Sequence, residues 1–238
     1  MGPFPYRPSF WRFEKVLQCY IFEVEYTKLK TVQRDPSIKN LIFDLGGVIL
    51  DLSIDHTLQA FTKLSGMDKQ KVTELFHASK GFEVYEMGMM NDEDFRSFVR
   101  TVYGVTCSDD EIDACWLAML RGIPVRKLEL LERLKNAYRV FLLSNTNNIH
   151  LVHINKNMLT NSTSLDQFFH RAYYSHVMKK RKPNADIFQQ VLDENGLVAE
   201  ETLFLDDNLP NLEGARALGI KTLHVSHPDI ILDYFHEQ

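Results

Sequence analysis

The sequence is poor in cysteine: Cys19, Cys107 and Cys115 are its only three, they lie far apart, and no C-x-x-C pair occurs among the 238 residues. An odd, scattered set supports neither a disulfide framework nor a zinc site. Such thiols are expected as small buried apolar residues in a reducing, cytoplasmic setting. Long apolar runs are also missing, and no stretch has the length of a membrane-spanning helix. The most apolar piece near the start, residues 16–24, is interrupted by Gln18 and Glu23 and leads to no small-residue cleavage site, so it is not expected to be a signal peptide. Nor is positive charge in excess. Lys and Arg number 27 against 32 Asp and Glu, a formal net charge of −5. That balance argues against nucleic acid or an acidic membrane surface as the main partner. What remains, 45% hydrophobic and 25% charged residues, suits a globular chain with one core and room for a smaller accessory unit.

The chain is organised around residues 40–51, N-L-I-F-D-L-G-G-V-I-L-D. An apolar strand runs into Asp44 and then into the turn at Gly46-Gly47. The carboxyl end of a doubly buried strand is where open α/β sheets place their chemistry. Taken alone, Asp44 serves equally well as a carboxylate capping a turn. Residues 1–39, with Pro3, Pro5 and Pro8 followed by Trp11, Phe13 and Tyr20, form an N-terminal extension whose role the residues do not specify. Over 53–122 the period changes to amphipathic helices. Leu58, Phe61 and Leu64 share a face, as do Val72, Leu75 and Phe76, and Phe95, Phe98, Val99 and Val102. Ser108 and Glu111 make a capping box ahead of Ile112, Cys115, Trp116 and Met119. Between these helices, Tyr85-Glu86-Met87-Gly88-Met89-Met90 either lines a ligand pocket or fills an irregular core.

After residue 123, strands alternate with helices. Pro124 opens a helix with Val125, Leu128, Leu131 and Leu134 on one stripe. Strands are expected at 138–143, 169–175, 202–205 and 221–225, and helices at 184–195, closed by Gly196, through Leu212 to Gly219, and at 229–235. This order predicts a parallel sheet with right-handed crossovers and helices on both faces. Four segments then arrive at one rim: Asp44, Ser144-Asn145, Lys182-Pro183 and Asp206-Asp207. Each has an ordinary use by itself, as a helix cap, a turn or part of the solvated basic run 179–182. His150 and His153, three apart, have no evident third ligand for a metal and are expected on the helix surface or facing the insert.

Taken together, F-D-L-G-G-V-I-L-D, L-S-N-T-N, K-P-N-A-D-I-F and F-L-D-D-N-L-P-N-L-E-G-A resemble the four motifs of the haloacid dehalogenase-like hydrolases. The likeness covers about residues 40–238. It is nearest to the subgroup holding bacterial alpha-glucose-1-phosphate phosphatases and the amino-terminal domain of soluble epoxide hydrolases. The resemblance implies a Rossmann-like α/β core made of residues 40–52 and 123–238, with residues 53–122 as a mobile helical cap. It further implies a phosphatase acting on a small phosphorylated metabolite. In that scheme Asp44 is the nucleophile, a carboxylate that forms an acyl phosphate for water to split. Asp44, Asp206 and Asp207, hard oxygen donors, hold Mg²⁺. Ser144, Asn145 and Lys182 bind the phosphate, and Lys182 also screens Asp44 from the incoming anion.

One departure matters. Most phosphatases of this superfamily carry a second aspartate two residues after the nucleophile, as general acid and base, and here that position is Gly46. A metal contact through the backbone carbonyl survives in glycine; the proton donor does not. An anomeric sugar phosphate, with its stabilised leaving group, needs that donor least. The other routes are a donor role for Asp51, or weak catalysis. Two competing readings follow: a non-catalytic binding or regulatory protein on the same fold, and a haloacid dehalogenase, whose chemistry needs no acidic pair such as Asp206-Asp207.

Overall fold

The structure, a computed structural model, describes residues 35–159 and 162–236. Most of the expected N-terminal extension, with Cys19 and the 16–24 stretch, lies outside the described residues.

Five parallel strands form the main sheet: β1 (Asn40–Phe43), β4 (Arg139–Ser144), β5 (Arg171–Tyr174), β6 (Thr202–Asp206) and β7 (Lys221–His224), in the order β5-β4-β1-β6-β7. β1 lies in the middle, hydrogen-bonded to β4 on one side and β6 on the other. The chain therefore leaves β1 toward one edge and later returns to its other side. The carboxyl ends of β1, β4 and β6 meet at this reversal, where such sheets open a crevice.

Side-chain alternation along β1 sorts the core. Leu41 and Phe43 face one layer, with Leu128, Leu131 and Leu134 of helix α6 (Val125–Leu134) and Ile231 of α11 (Ile230–Tyr234). Ile42 faces the other layer, with Ile187, Phe188 and Val191 of α9 (Ala185–Asn195) and Leu212 of α10 (Leu209–Arg216). Covered on both faces, the strand is apolar from Leu41 to Phe43, and all four of its residues are buried, Asn40 with its Nδ2 donating to Thr202 Oγ1 at 3.2 Å.

Between the sheet's first two motifs the chain builds five helices: α1 (Ile54–Ser65), α2 (Lys69–Ala78), α3 (Gly81–Glu86), α4 (Asp92–Tyr103) and α5 (Asp109–Leu117). The expected stripes turn inward, and the Ser108–Glu111 capping box forms. Aromatic rings fill the insert: Tyr85 stacks on Phe95 at 4.0 Å and Phe82 on Trp116 at 5.3 Å. The methionine segment divides, with Met90 packed against this core and Met89 66% exposed. Cys115 is buried as expected, whereas Cys107 is only partly so.

The insert enters and leaves through a short antiparallel pair, β2 (Asp51–Leu52) and β3 (Leu120–Gly122), too short to leave a periodic signal in the sequence. Asp51 opens β2 with its carboxylate 2.9 Å from Lys127 Nζ. The Asp51 side chain here anchors the flap, and the donor route round Gly46 would require it to leave Lys127. Lys127 is wholly buried, while the Asp51 side chain is 43% exposed. Asp51→Asn, which leaves the buried ammonium an acceptor oxygen but no counter-charge, is expected to cost about 1–3 kcal/mol, and Lys127→Met about 1 kcal/mol or less. Urea melts of the two variants measure the difference.

Candidate active site

Asp44 is the residue after β1, its backbone N–H donating to Leu205 O of β6 at 2.8 Å, so its side chain stands at the sheet's reversal. Lys182 Nζ reaches it from the loop before α9, 2.6 Å from Asp44 Oδ1 and 2.7 Å from Asp206 Oδ2. Asp206, the last residue of β6, is fully buried; Asn208 N–H donates to its Oδ1 at 2.7 Å, and Asn211 Nδ2 lies 3.1 Å from both of its oxygens. Every oxygen of this buried carboxylate is matched, as burial requires. Lys182 Nζ also lies 5.2 Å from the centre of the Phe204 ring.

The loop that carries Lys182 is fixed from behind. Asn145 Nδ2 donates to Lys182 O at 3.0 Å, and Lys182 N–H donates to Asn145 Oδ1 at 2.9 Å. The amide expected at the phosphate thus bonds both sides of the lysine's own backbone through Oδ1 and one N–H of Nδ2. On the outer side Gly214 allows α10 to pack closely, since a Cβ there would stand 2.2 Å from Pro183 O. Ser144 ends β4 and is buried; the cap of α7 (Asn148–Asn157) falls to Asn147, whose side chain accepts from His150 N–H at 3.0 Å, so the Ser144 hydroxyl is not taken up as a helix cap.

Asp44, Asp206 and Asp207 each place an oxygen within 4.8 Å of the others, the one such group of potential metal ligands among the described residues. Three carboxylates face a single ammonium, and burial adds to the charge imbalance in disfavouring their ionised forms. Burial, reinforced by Asp206 and opposed by Lys182, pushes Asp44 up to about 7. Partial burial and then Asp206 raise Asp207. Burial works against the charge on Lys182, but Asp44 and Asp206 outweigh it and hold the ammonium above its usual range. Hard oxygen donors, excess negative charge and one exposed edge at Asp207 fit a small divalent cation such as Mg²⁺.

Gly47 makes the approach possible. Its φ is +73°, and a Cβ on it would lie 2.4 Å from Asp207 Oδ2. Gly47→Ala is expected to cost about 1–3 kcal/mol in backbone strain and to displace Asp207. Thermal melts with and without Mg²⁺ should then show a lower Tm and a smaller metal-induced rise than wild type.

His150 does not join the cluster. Burial lowers its pKa to about 4, and the neutral ring stacks on Trp116 at 4.9 Å with Nε2 3.2 Å from Trp116 O. It fastens the insert to α7, in line with the insert-facing expectation. Arg181 is a residue the sequence reading passed over within the basic run: its guanidinium lies 3.3 Å from Glu83 and 3.2 Å from Glu86 of α3. Only the fold reveals that pairing, because 95 positions separate Arg181 from Glu86.

At the rim of this parallel sheet a buried carboxylate, an ammonium and an acidic doublet come together. Residues 38–219 match the family model of the haloacid dehalogenase-like hydrolases, and the chain belongs to that family. It is similar to a D-ribitol-5-phosphate phosphatase of Bacteroides thetaiotaomicron, 30% identical over 186 residues that make up 78% of this chain and 90% of the relative. A haloacid-dehalogenase-family enzyme of the same organism, solved in complex with magnesium and inorganic phosphate, superposes with a TM-score of 0.73 at 38% identity, covering 79% of this chain and 93% of that one. A HAD-like hydrolase from Porphyromonas gingivalis gives a TM-score of 0.72 at 33% identity over 79% of this chain and 91% of its own. Among the described residues no helix is long and apolar enough to cross a membrane.

Proposed function

We propose that the chain hydrolyses the phosphate monoester of a small polyhydroxylated metabolite, a sugar or alditol phosphate, through an aspartyl-phosphate on Asp44 with Mg²⁺ as cofactor. The observation that carries this reading is the double contact of Lys182 with Asp44 and Asp206 beside Asp207. The relative that acts on D-ribitol 5-phosphate supports the substrate class.

Asp44, Asp206 and Asp207 are the residues to hold Mg²⁺, which when bound would offset their charge and draw electron density from the phosphoryl oxygens. Lys182 and the Ser144 hydroxyl neutralise and orient the phosphate dianion, and Asn145 serves by holding Lys182 in place. An Asp44 oxygen attacks phosphorus as the ester P–O bond breaks, leaving an acyl phosphate. Water then attacks the same phosphorus, and the restored carboxylate departs. Residues 53–122 act as the cap that closes over the rim made by residues 40–52 and 123–238, keeping bulk water from the acyl phosphate.

Gly46 supplies no proton, and Asp51 is tied to Lys127. A substrate whose leaving oxygen needs little protonation, an anomeric sugar 1-phosphate, is therefore expected to turn over faster than a primary alkyl ester such as an alditol 5-phosphate. The test is phosphate release from a panel of both kinds, with and without Mg²⁺. Metal-independent release, or release from none of them, contradicts the reading. The same absence makes acyl-phosphate hydrolysis slow, so rapid-quench experiments are expected to find phosphoenzyme accumulating. Gly46→Asp, where Leu52 Cδ2 at 3.3 Å from a new Cβ must yield slightly, should speed that step by about 10²- to 10⁴-fold.

A further inference from the structure

The loop bearing Lys182 is gripped from two sides, by the core through Asn145 and by the helical insert through the neighbouring Arg181. Among the described residues, every hydrogen-bond or ion-pair partner of the Arg181 guanidinium lies on the insert, and its buried Nε has no hydrogen-bond partner. The side chain is thus not fixed by the core on which it stands.

The end of α3 that receives it is fastened at a second point. Ser175 Oγ, in the short helix α8 (Ser175–Met178), lies 2.6 Å from Glu86 O and 3.0 Å from Thr146 O, and accepts from Thr146 N–H at 2.9 Å. Lys179 donates to Gly88 O, and a Cβ on Gly88 would stand 2.0 Å from His176 O. The insert's 86–88 segment is therefore seated directly on the backbone that follows Ser144 and precedes Lys182. Arg181 and Glu86 are both partly enclosed, with side chains 24% and 25% exposed. Screening is weaker there than at an open surface.

We propose that Arg181 is a positioning residue for the phosphatase reaction: by tying Glu83 and Glu86 to the backbone of Lys182, it makes the lysine's hold on Asp44 depend on the insert being seated. The inference rests on the function proposed above and adds a part to it. When the insert lifts, Arg181 loses its partners and the loop is held by its core contacts alone, the Asn145 clamp among them. When it settles, the loop is held from both sides and the ammonium is aligned for the phosphate. Chemistry is thereby coupled to closure, with Arg181 touching neither substrate nor metal.

The experiment measures magnesium-dependent hydrolysis of 4-nitrophenyl phosphate by wild type, Arg181→Ala, Arg181→Lys, Glu86→Gln and the double variant Arg181→Ala/Glu86→Gln. Arg181→Ala is expected to lower kcat about tenfold with KM changed by less than about twofold. Arg181→Lys should recover much of the loss, and the double variant should be no slower than Arg181→Ala, since both changes break one contact. Should Arg181→Ala fail to fold, the isosteric Glu86→Gln reads the same coupling as a smaller fall in kcat. An unchanged kcat, a rise in KM alone, or losses that multiply in the double variant overturn the inference. In an active wild type these outcomes leave the phosphatase reading standing; a wild type that releases no phosphate overturns both.

Discussion

Asp44→Asn is expected to slow phosphate release by at least about 10⁴-fold, as removal of a covalent nucleophile does. The amide has the carboxylate's shape but not its nucleophilic oxygen, so no acyl phosphate can form. Its surroundings should persist. Lys182 keeps Asp206 at 2.7 Å, and an amide oxygen can still accept from the ammonium that now lies 2.6 Å from Asp44 Oδ1. Metal-free, the variant is expected to be at least as stable as wild type. Burial already disfavours the charge on Asp44, and its loss relieves repulsion from Asp206. Colorimetric phosphate release and a thermal melt together separate this outcome from simple unfolding. A variant that retains wild-type turnover would remove Asp44 from the chemistry.

Lys182→Met should damage stability and catalysis together. Lys182 is 1% exposed and bonded to two carboxylates that are themselves buried, so its removal leaves negative charges facing each other without a cation. Breaking a buried pair in this way costs about 3–5 kcal/mol, and loss of one preorganised charge at the phosphoryl group costs about 10²- to 10³-fold in kcat. Mg²⁺ should restore part of the stability, because a divalent cation can replace the missing charge among Asp44, Asp206 and Asp207. Denaturant titrations with and without Mg²⁺ test this. A variant as stable as wild type in the absence of metal contradicts the electrostatic account.

The sequence revealed the sheet because its strands are buried on both faces and so form apolar runs, each stopping at a polar rim residue. Asp44, Ser144 and Asp206 end or directly follow those runs, and Lys182 lies in the loop before α9. Their convergence needed only the rule that parallel strands end on one side. Boundaries shifted slightly: β4 takes in Ser144 and β6 takes in Asp206, and the strand expected at 169–175 pairs only over Arg171–Tyr174. What escaped was the contact made at a distance. The β2–β3 flap is too short for any period, Asn145 turned out to bond the lysine's backbone rather than stand free, and the Arg181 pairing joins insert to core across 95 positions. Side-chain direction decides such pairs, and residue type alone does not report it.

The central claim is that phosphorus passes through a covalent bond to one particular carboxylate. Acid-quenched samples from the first turnover, digested and mapped by mass spectrometry, test it most directly. The peptide containing Asp44 should carry a phosphoryl group that appears only with Mg²⁺ and disappears as phosphate is released. Turnover with that peptide unmodified throughout, or with the phosphoryl group on another residue, would contradict the account.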